Sequence, residues 1–334
     1  MSEKDDAAGT ASTAPATGGA PGRVLVTGAY GFVGAAYCAH LAAAGVPYVG
    51  AVRARAAAET RDEIVALGDF AQADWDSLFA RTPMRQIVHL AARAHRMRDN
   101  AEDPAALYRR ENIKVTDRLL AAARVARVQR FVFASTVKVH GSSTPPGLVL
   151  RESDPLAPAD DYARSKAAAE ERVRQFGEEL GLGVVVLRLP LVYGPGVKAN
   201  FAGLVGAVRA RRILPFGAIV NQRSLLGLTN LCSALERARS HPDAPGNTFF
   251  VSDPDDVSTP ELVRAIAAAY GVRPRLWRVA PRVLAVAGAL TGRRGVVERL
   301  VASFAIDDAR IRRTLDWRPP LSLADELAKM AASP

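Results

Sequence analysis

Cysteine is scarce in this chain of 334 residues: only Cys38 and Cys232 occur. Two thiols outside any Cys-x-x-Cys pair build no disulfide framework. That excludes a disulfide-stapled secreted scaffold and fits a reducing, cytoplasmic setting. Histidine is scarce too. His40, His89, His95, His140 and His241 show none of the spacings of zinc ligands, so no metal is expected. Long apolar runs are missing. Val283 to Leu290 is the longest late in the chain, far short of the roughly 20 residues that cross a bilayer. Its flanks, Arg275, Arg278, Arg282, Arg293 and Arg294, suit an anionic membrane surface, although an amphipathic helix packed on the domain is the simpler reading. No basic run is interleaved with aromatics, so the formal charge of +10 does not read as a nucleic-acid interface. An anionic small molecule and a solvated basic surface account for it. Residues 1–22 are rich in Ala, Gly, Thr and Pro, carry Glu3, Asp5 and Asp6, and lead into no long apolar core. They read as a disordered tail and not as a signal peptide.

What is present is a hydrophobic content of 49%, ample for a large core, in an alternating order. Arg23 to Thr27 is a short apolar run ending in a glycine-rich turn. A helical pattern follows from Phe32 to Ala44, then a strand from Tyr48 to Val52. Strand-like runs recur at Gln86–Ala91, Arg130–Ala134 and Val184–Leu189, with helical patterns at Leu107–Val125 and Tyr162–Leu180 between them. Continuous apolar strands alternating with amphipathic helices predict an α/β fold. The expectation is a Rossmann doubly wound parallel sheet with a smaller C-terminal substrate-binding portion. The expected division is 23–190 for the dinucleotide-binding domain and 191–334 mainly for substrate, with segments near 224–252 returning to the first domain. After Pro190 the pieces are shorter, with a strand at Thr248–Ser252 and a helix at Thr259–Tyr270 capped by Ser258 or Thr259.

The turn after the first strand reads Gly28-Ala29-Tyr30-Gly31-Phe32-Val33-Gly34. In G-x-x-G-x-x-G the first glycine allows the tight turn, the second lets backbone approach a pyrophosphate, and the third lets the helix pack close to the sheet. The helix N-terminus then offers free N–H groups and a positive dipole end to phosphates. A simple tight turn could use the same glycines; the strand–turn–helix context is what points to a dinucleotide. An NAD site usually has Asp or Glu at the end of the second strand. Here that place reads Val52-Arg53-Ala54-Arg55. Arginine suits a 2′-phosphate, so NADP(H) is slightly favoured over NAD(H), unless Arg53 only stacks on adenine or faces water. Asp69 and Phe70, after a third short strand, are candidates for the adenine edge.

Tyr162-Ala163-Arg164-Ser165-Lys166 is Y-x-x-x-K, which on a helix puts Tyr162 and Lys166 on one face. A neighbouring ammonium is expected to lower the phenol pKa from about 10 and poise Tyr162 to exchange a proton with a carbinol. A surface Tyr–Lys pair looks the same in isolation. The order carries the weight: glycine loop, then hydroxyls after a central strand, then Y-x-x-x-K. Those hydroxyls are Thr136, the primary candidate, and its neighbour Ser135, at a strand end that points into the ligand crevice of such sheets. Binding the local backbone is their alternative role.

Together, TGAYGFVG, HLAA (His89–Ala92), the AST turn, YARSK and LVYGPG (Leu191–Gly196) resemble the extended short-chain dehydrogenase/reductases that modify nucleotide sugars. The resemblance covers residues 23 to about 330. It implies NAD(P) bound also by Leu90, Ala91 and Ala92, and a homodimer formed through the helices at Leu107–Val125 and Tyr162–Leu180. The segments Gly194–Phe201, Leu214–Ala218, Asn221–Leu225, Val251–Asp253 and Asp256–Thr259 are similar to one subgroup. It holds UDP-N-acetylhexosamine 4-epimerase-like proteins and 4-reductases of UDP-4-keto-6-deoxy-N-acetylglucosamine, which serve bacterial surface-polysaccharide synthesis. By that resemblance Asn200 and Arg223 contact the diphosphate of a UDP-sugar, and Phe216 and Gly217 the uracil. The related 4,6-dehydratases carry Thr-Asp-Glu where this chain has Thr136-Val137-Lys138, which argues against dehydration. Two departures stand out: Thr229 where the family has Asp, and His140 where it has Tyr.

The reading that follows is oxidoreduction at C4 of a UDP-linked, N-acetylated hexose. A 4-keto-sugar reductase is favoured by the missing carboxylate near Arg53. A 4-epimerase that recycles NAD internally is the alternative. A non-catalytic dinucleotide-binding sensor or scaffold is the rival from another class, disfavoured by the presence of both Tyr162 and Lys166.

Overall fold

In the computed structural model, residues 22–333 are described apart from 58, 94–102 and 293. The tail expected over 1–22, except Gly22, and His95 and Arg293 lie outside the described residues.

The first half alternates strand and helix. Strands β1 (Arg23–Thr27), β2 (Tyr48–Val52), β3 (Ile64–Ala66), β4 (Met84–His89) and β5 (Arg130–Thr136) are interleaved with helices α1 (Phe32–Ala43), α2 (Trp75–Arg81), α3 (Pro104–Tyr108) and α4 (Val115–Val125). The two-residue β6 (Val149–Leu150), the long α5 (Asp161–Leu180), β7 (Gly183–Leu189) and β8 (Leu191–Tyr193) follow. The remainder comprises α6 (Ala199–Arg209), β9 (Leu225–Gly227), α7 (Leu228–Ser240), β10 (Asn247–Phe250), α8 (Thr259–Ala269), α9 (Pro281–Leu290), α10 (Arg294–Val301), β11 (Ala305–Ile306), α11 (Ala309–Thr314) and α12 (Leu323–Ala332).

Seven strands form one parallel sheet in the order β10-β7-β5-β4-β1-β2-β3. The expected doubly wound parallel sheet is therefore what the chain forms. Successive side chains of a strand face opposite ways. Val24 and Val26 of β1 join one core with Leu41, Leu231 and Leu235. Leu25 joins the other with Leu119, Leu120 and Val173. Both faces are covered, which is why the strands read as unbroken apolar runs. A third apolar cluster, with Tyr193, Phe201, Val205, Val263 and Leu327, serves the later helices.

One element differs from its reading. The helix expected over Leu107–Val125 is broken: α3 ends at Tyr108, and a π-helical turn, Arg109–Lys114, intervenes before α4. A π-turn inserts one residue into the helical register and is often found at functional sites. It aims Asn112, 2% exposed, into the interior. Sequence order reverses between β1 and β4, and the crevice at that switch, outside the carboxyl ends of the strands, is where ligands bind in such sheets.

Candidate functional site

At the switch the end of β1 is tied to the end of β4. Thr27 Oγ1 accepts hydrogen bonds from the backbone N–H of Leu90 (3.2 Å) and Ala91 (3.1 Å). Its own proton then goes to His89 Nδ1 at 2.7 Å. That leaves His89 Nε2–H to donate to Thr116 at 3.2 Å, whose hydroxyl donates to the Asn112 carbonyl at 2.6 Å. The chain of donors is complete only with a neutral imidazole. Burial, and secondarily the Lys166 charge, push the His89 pKa down to about 3.

The glycine loop is held tightly against this knot. Gly28 has φ +74°, and a Cβ on it would lie 3.0 Å from the Ala91 backbone. A Cβ on Gly34 would lie 2.1 Å from the Gly28 carbonyl oxygen, so only glycine lets α1 start there. Gly31 is the N-cap of α1 and gives no side-chain cap, which leaves the first N–H groups of the helix directed at the crevice. Phe32 and Val33 are partly buried at the helix start, and Tyr30 donates to Glu59 at 2.9 Å. Leu90, Ala91 and Ala92 follow β4 at the facing edge. These groups fit a dinucleotide pyrophosphate.

The second-strand end is less simple than the sequence suggests. Arg53 is ion-paired with Glu111, which also meets Arg93 at 3.2 Å. The carboxylate missing from the β2 end thus arrives from the π-turn. Asp69 accepts from the Ala71 N–H at 3.0 Å and pairs with Arg110 of the same turn. Phe70 is a core residue: its ring packs on Trp75 at 5.3 Å and its carbonyl accepts from the Trp75 indole N–H at 3.2 Å, so its side chain does not line an adenine site as expected.

Thr136 closes β5, its Oγ1 accepting from the Lys138 N–H at 3.3 Å. A side-chain hydrogen bond joins it to Tyr162, in the first turn of α5. Helix α5 starts there because Asp160 caps it, accepting from the Ala163 N–H at 2.7 Å. The expected lowering of the Tyr162 pKa is not what the structure shows. Burial, reinforced by the Asp160 charge, pushes it up to about 12, with the Thr136 hydrogen bond pulling the other way. Lys166 is 3% exposed, its ammonium 3.9 Å from the Phe133 ring centroid. Burial drops its pKa to about 7, against the opposing pull of Glu170. Ser135, expected beside Thr136 at the substrate, instead donates its hydroxyl to Glu170. Glu170 is fully buried and paired with Arg188 at 2.7 Å. Arg188 also donates to His140 Nε2 at 2.8 Å, while His140 Nδ1 faces the Pro155 carbonyl at 3.2 Å. His140 therefore has a structural place, bridging Arg188 and the Pro155 carbonyl.

Two site features escaped the sequence reading. Asn112 accepts from the Arg93 N–H at 2.7 Å and donates to Ser165 at 2.9 Å, between Tyr162 and Lys166. No periodicity announces it, because it sits in the π-turn. Lys138 meets Asp160 at 2.6 Å and lies 6.0 Å from the Tyr162 ring centroid. An Asp just before a Tyr-led helix was a legible cap; its charged partner was not.

Of the proposed substrate residues, Asn200, Phe216 and Arg223 line one cavity of about 420 Å³. Gly217 is not among its lining residues; its N–H donates to the Trp277 carbonyl at 2.9 Å. Arg223 is desolvated, which lowers its pKa, and its backbone pairs with Val257 at 3.0 Å. A desolvated guanidinium in a cavity suits a phosphate. Thr229, one of the two departures, donates its N–H to Glu326 at 3.3 Å, and nearby Asp253 accepts from Gly227 N–H (2.8 Å), Asn230 (2.7 Å) and Tyr193 (2.7 Å). Among the described residues no group of His, Cys, Asp and Glu could hold a metal, and no helix is long and apolar enough to cross a membrane.

Residues 24–251 match the sequence profile of the NAD dependent epimerase/dehydratase family. A UDP-glucose 4-epimerase of Vibrio cholerae is 36% identical over 316 residues, 93% of this chain and 95% of the relative. Another from Mycolicibacterium smegmatis is 32% identical over 324 residues, 92% and 96% of the two chains. Among solved structures, MoeE5 in complex with UDP-glucose and NAD superposes with a TM-score of 0.72 at 25% identity, covering 93% of this chain and 97% of that one.

Proposed function

Because the chain belongs to the NAD-dependent epimerase/dehydratase family, we propose that it is an enzyme of oxidoreduction at C4 of a UDP-linked sugar, working as a 4-epimerase. The observation that carries this is the Thr136–Tyr162 pair at the β5 end, at the same strand ends as the glycine loop. Full-length similarity to proteins described as UDP-glucose 4-epimerases supports the epimerase over the 4-keto-sugar reductase that the sequence favours. The ground for the reductase is the missing carboxylate near Arg53, and Glu111 brings one there by pairing with Arg53. A partnered guanidinium is a poorer 2′-phosphate ligand, so NAD is the cofactor we assign.

The glycine loop and the start of α1 would hold NAD, whose nicotinamide would supply a reversible hydride acceptor. Tyr162 takes the proton of the C4 hydroxyl and later gives it back, and Thr136 orients that oxygen. Lys166 supplies positive charge beneath the site. Arg223 and Asn200 hold the diphosphate so that the sugar can turn over between the two half-reactions. The catalytic turn argues against dehydration: Val137 and Lys138 carry no carboxyl, and Asp160 is engaged with Lys138 and the helix cap. A cytoplasmic homodimer through α4 and α5 completes the proposal.

The test is to purify the protein, denature it and identify the released nucleotide, then assay UDP-hexoses. Stoichiometric NAD with 4-epimerisation supports the proposal. An empty protein that oxidises NADPH only with a UDP-4-keto-6-deoxy sugar makes it a reductase. No turnover of either class leaves a dinucleotide-binding protein.

A further inference from the structure

Between Glu261 and Glu298 the chain carries seven arginines and no acidic residue. This stretch contains the least covered apolar surface among the described residues with large side chains in helices. Helix α9 buries only Leu284 and Gly288, one turn apart, so it rests on the body along a narrow stripe. Val283, Val286 and Leu290 are 57%, 60% and 84% exposed. Their spacing of i, i+3 and i+7 puts them along one side of the helix. Just before it, Trp277 is 60% exposed between the exposed Arg275 and Arg278, and the exposed Arg282 adjoins Val283. Single exposed apolar residues are ordinary on a protein surface, but an aligned row beside a tryptophan marks an interaction site.

The charge decides the occupant. A second copy of this chain would bring the same arginines to the contact, and like-charged faces repel. A bilayer rich in anionic lipid offers what the segment needs: headgroup phosphates for the guanidinium groups and an acyl boundary for the apolar row. We infer that residues 275–290 form a peripheral docking surface for an anionic membrane. Leu284 and Gly288 on the opposite side of α9 face the body. Val286, with the exposed Ala285 and Ala289, also borders a cavity of about 740 Å³ lined by Lys138 and Asp160, which stand next to Tyr162. Docking therefore holds that cavity against the membrane surface. The inference concerns where the molecule works, and it stands for an epimerase or a reductase alike.

The protein carries its own reporter. Of its three tryptophans, Trp75 and Trp317 are 2% and 3% exposed, so a shift in emission on membrane contact belongs to Trp277. The full chain is mixed with vesicles of phosphatidylcholine alone or of phosphatidylcholine with phosphatidylglycerol, and then floated. We expect flotation and a blue shift with phosphatidylglycerol only, both weakened by added salt. The double variant Val283→Ser, Leu290→Ser should lose both while keeping the wild-type melting temperature, since its sites are exposed. Arg275→Ala and Arg282→Ala should each weaken partitioning about 5-fold. Failure to float, equal flotation on phosphatidylcholine, or flotation unchanged in the double variant overturns the inference. So does a wild-type dimer that ignores vesicles and falls apart in the double variant, which would make a second copy the occupant.

Discussion

Tyr162 feels two opposed influences, and each can be moved by a single substitution. Burial and the Asp160 charge hold its proton on, and Thr136 eases it off. Tyr162→Phe should lower kcat by about 10²–10⁴-fold, read by steady-state assay with the circular-dichroism spectrum unchanged. Asp160→Asn removes a negative charge beside the phenol. The Tyr162 pKa should fall, moving the pH profile of kcat/KM to lower pH. Lys138→Met exposes that charge and should move it the other way. His89 gives a stability prediction. Its folded pKa of about 3 lies below the unfolded value of about 6.5, so the unfolded chain takes up the proton first as pH falls. Its contribution is complete above about pH 6.5 and declines toward 3, with ~2 kcal/mol lost by pH 5. His89→Gln should be less stable at pH 8 yet lose less on acidification, measured by urea unfolding at both pH values.

The elements show where sequence reasoning reaches and where it stops. β1, β2, β5 and β7 were legible because each is buried on both faces and reads as a continuous apolar run. The capping box of α8, Ser258 with Glu261, was legible because it is local. β6, β8, β9 and β11, two or three residues each, were not, since their partners lie far along the chain. The π-turn at Arg109–Lys114 was hidden for a related reason. Its register follows from Asn112 reaching Arg93 and Ser165, and no pattern within the helix encodes that. The same turn carries Glu111 to Arg53, so in the proposed reading the NAD preference rests on an element distant in sequence from the strand end it serves. Glu111→Gln should free Arg53 and raise affinity for NADP relative to NAD about 5–10-fold, a gain of the size of one charge-assisted contact. Competition binding of the two cofactors would measure it.

At the scale of the molecule, the chain is less divisible than its two textures suggest. β10 lies at one edge of the sheet against β7, and α7 packs on the face that also holds α1. Arg130 of β5 reaches the carbonyls of Ala238 and His241 at 2.8 and 3.0 Å. A fragment ending at residue 190 should therefore be insoluble or associate non-specifically, as gel filtration of the refolded piece would show. It would present β7 as a bare edge and uncover Val185 and Leu187.

The Asp253 carboxylate joins Gly227, Asn230 and Tyr193, and the Asn230 side chain in turn meets Leu321 through its carbonyl at 2.8 Å and its N–H at 2.9 Å. Three stretches that are remote in sequence thus converge on one buried anion. Thr229 stands outside that knot: its N–H donates to Glu326 at 3.3 Å and its hydroxyl accepts from Lys329 at 2.8 Å. Losing the Asp253 carboxylate would strip Gly227, Asn230 and Tyr193 of their acceptor at once, whereas a change at Thr229 leaves all three contacts in place.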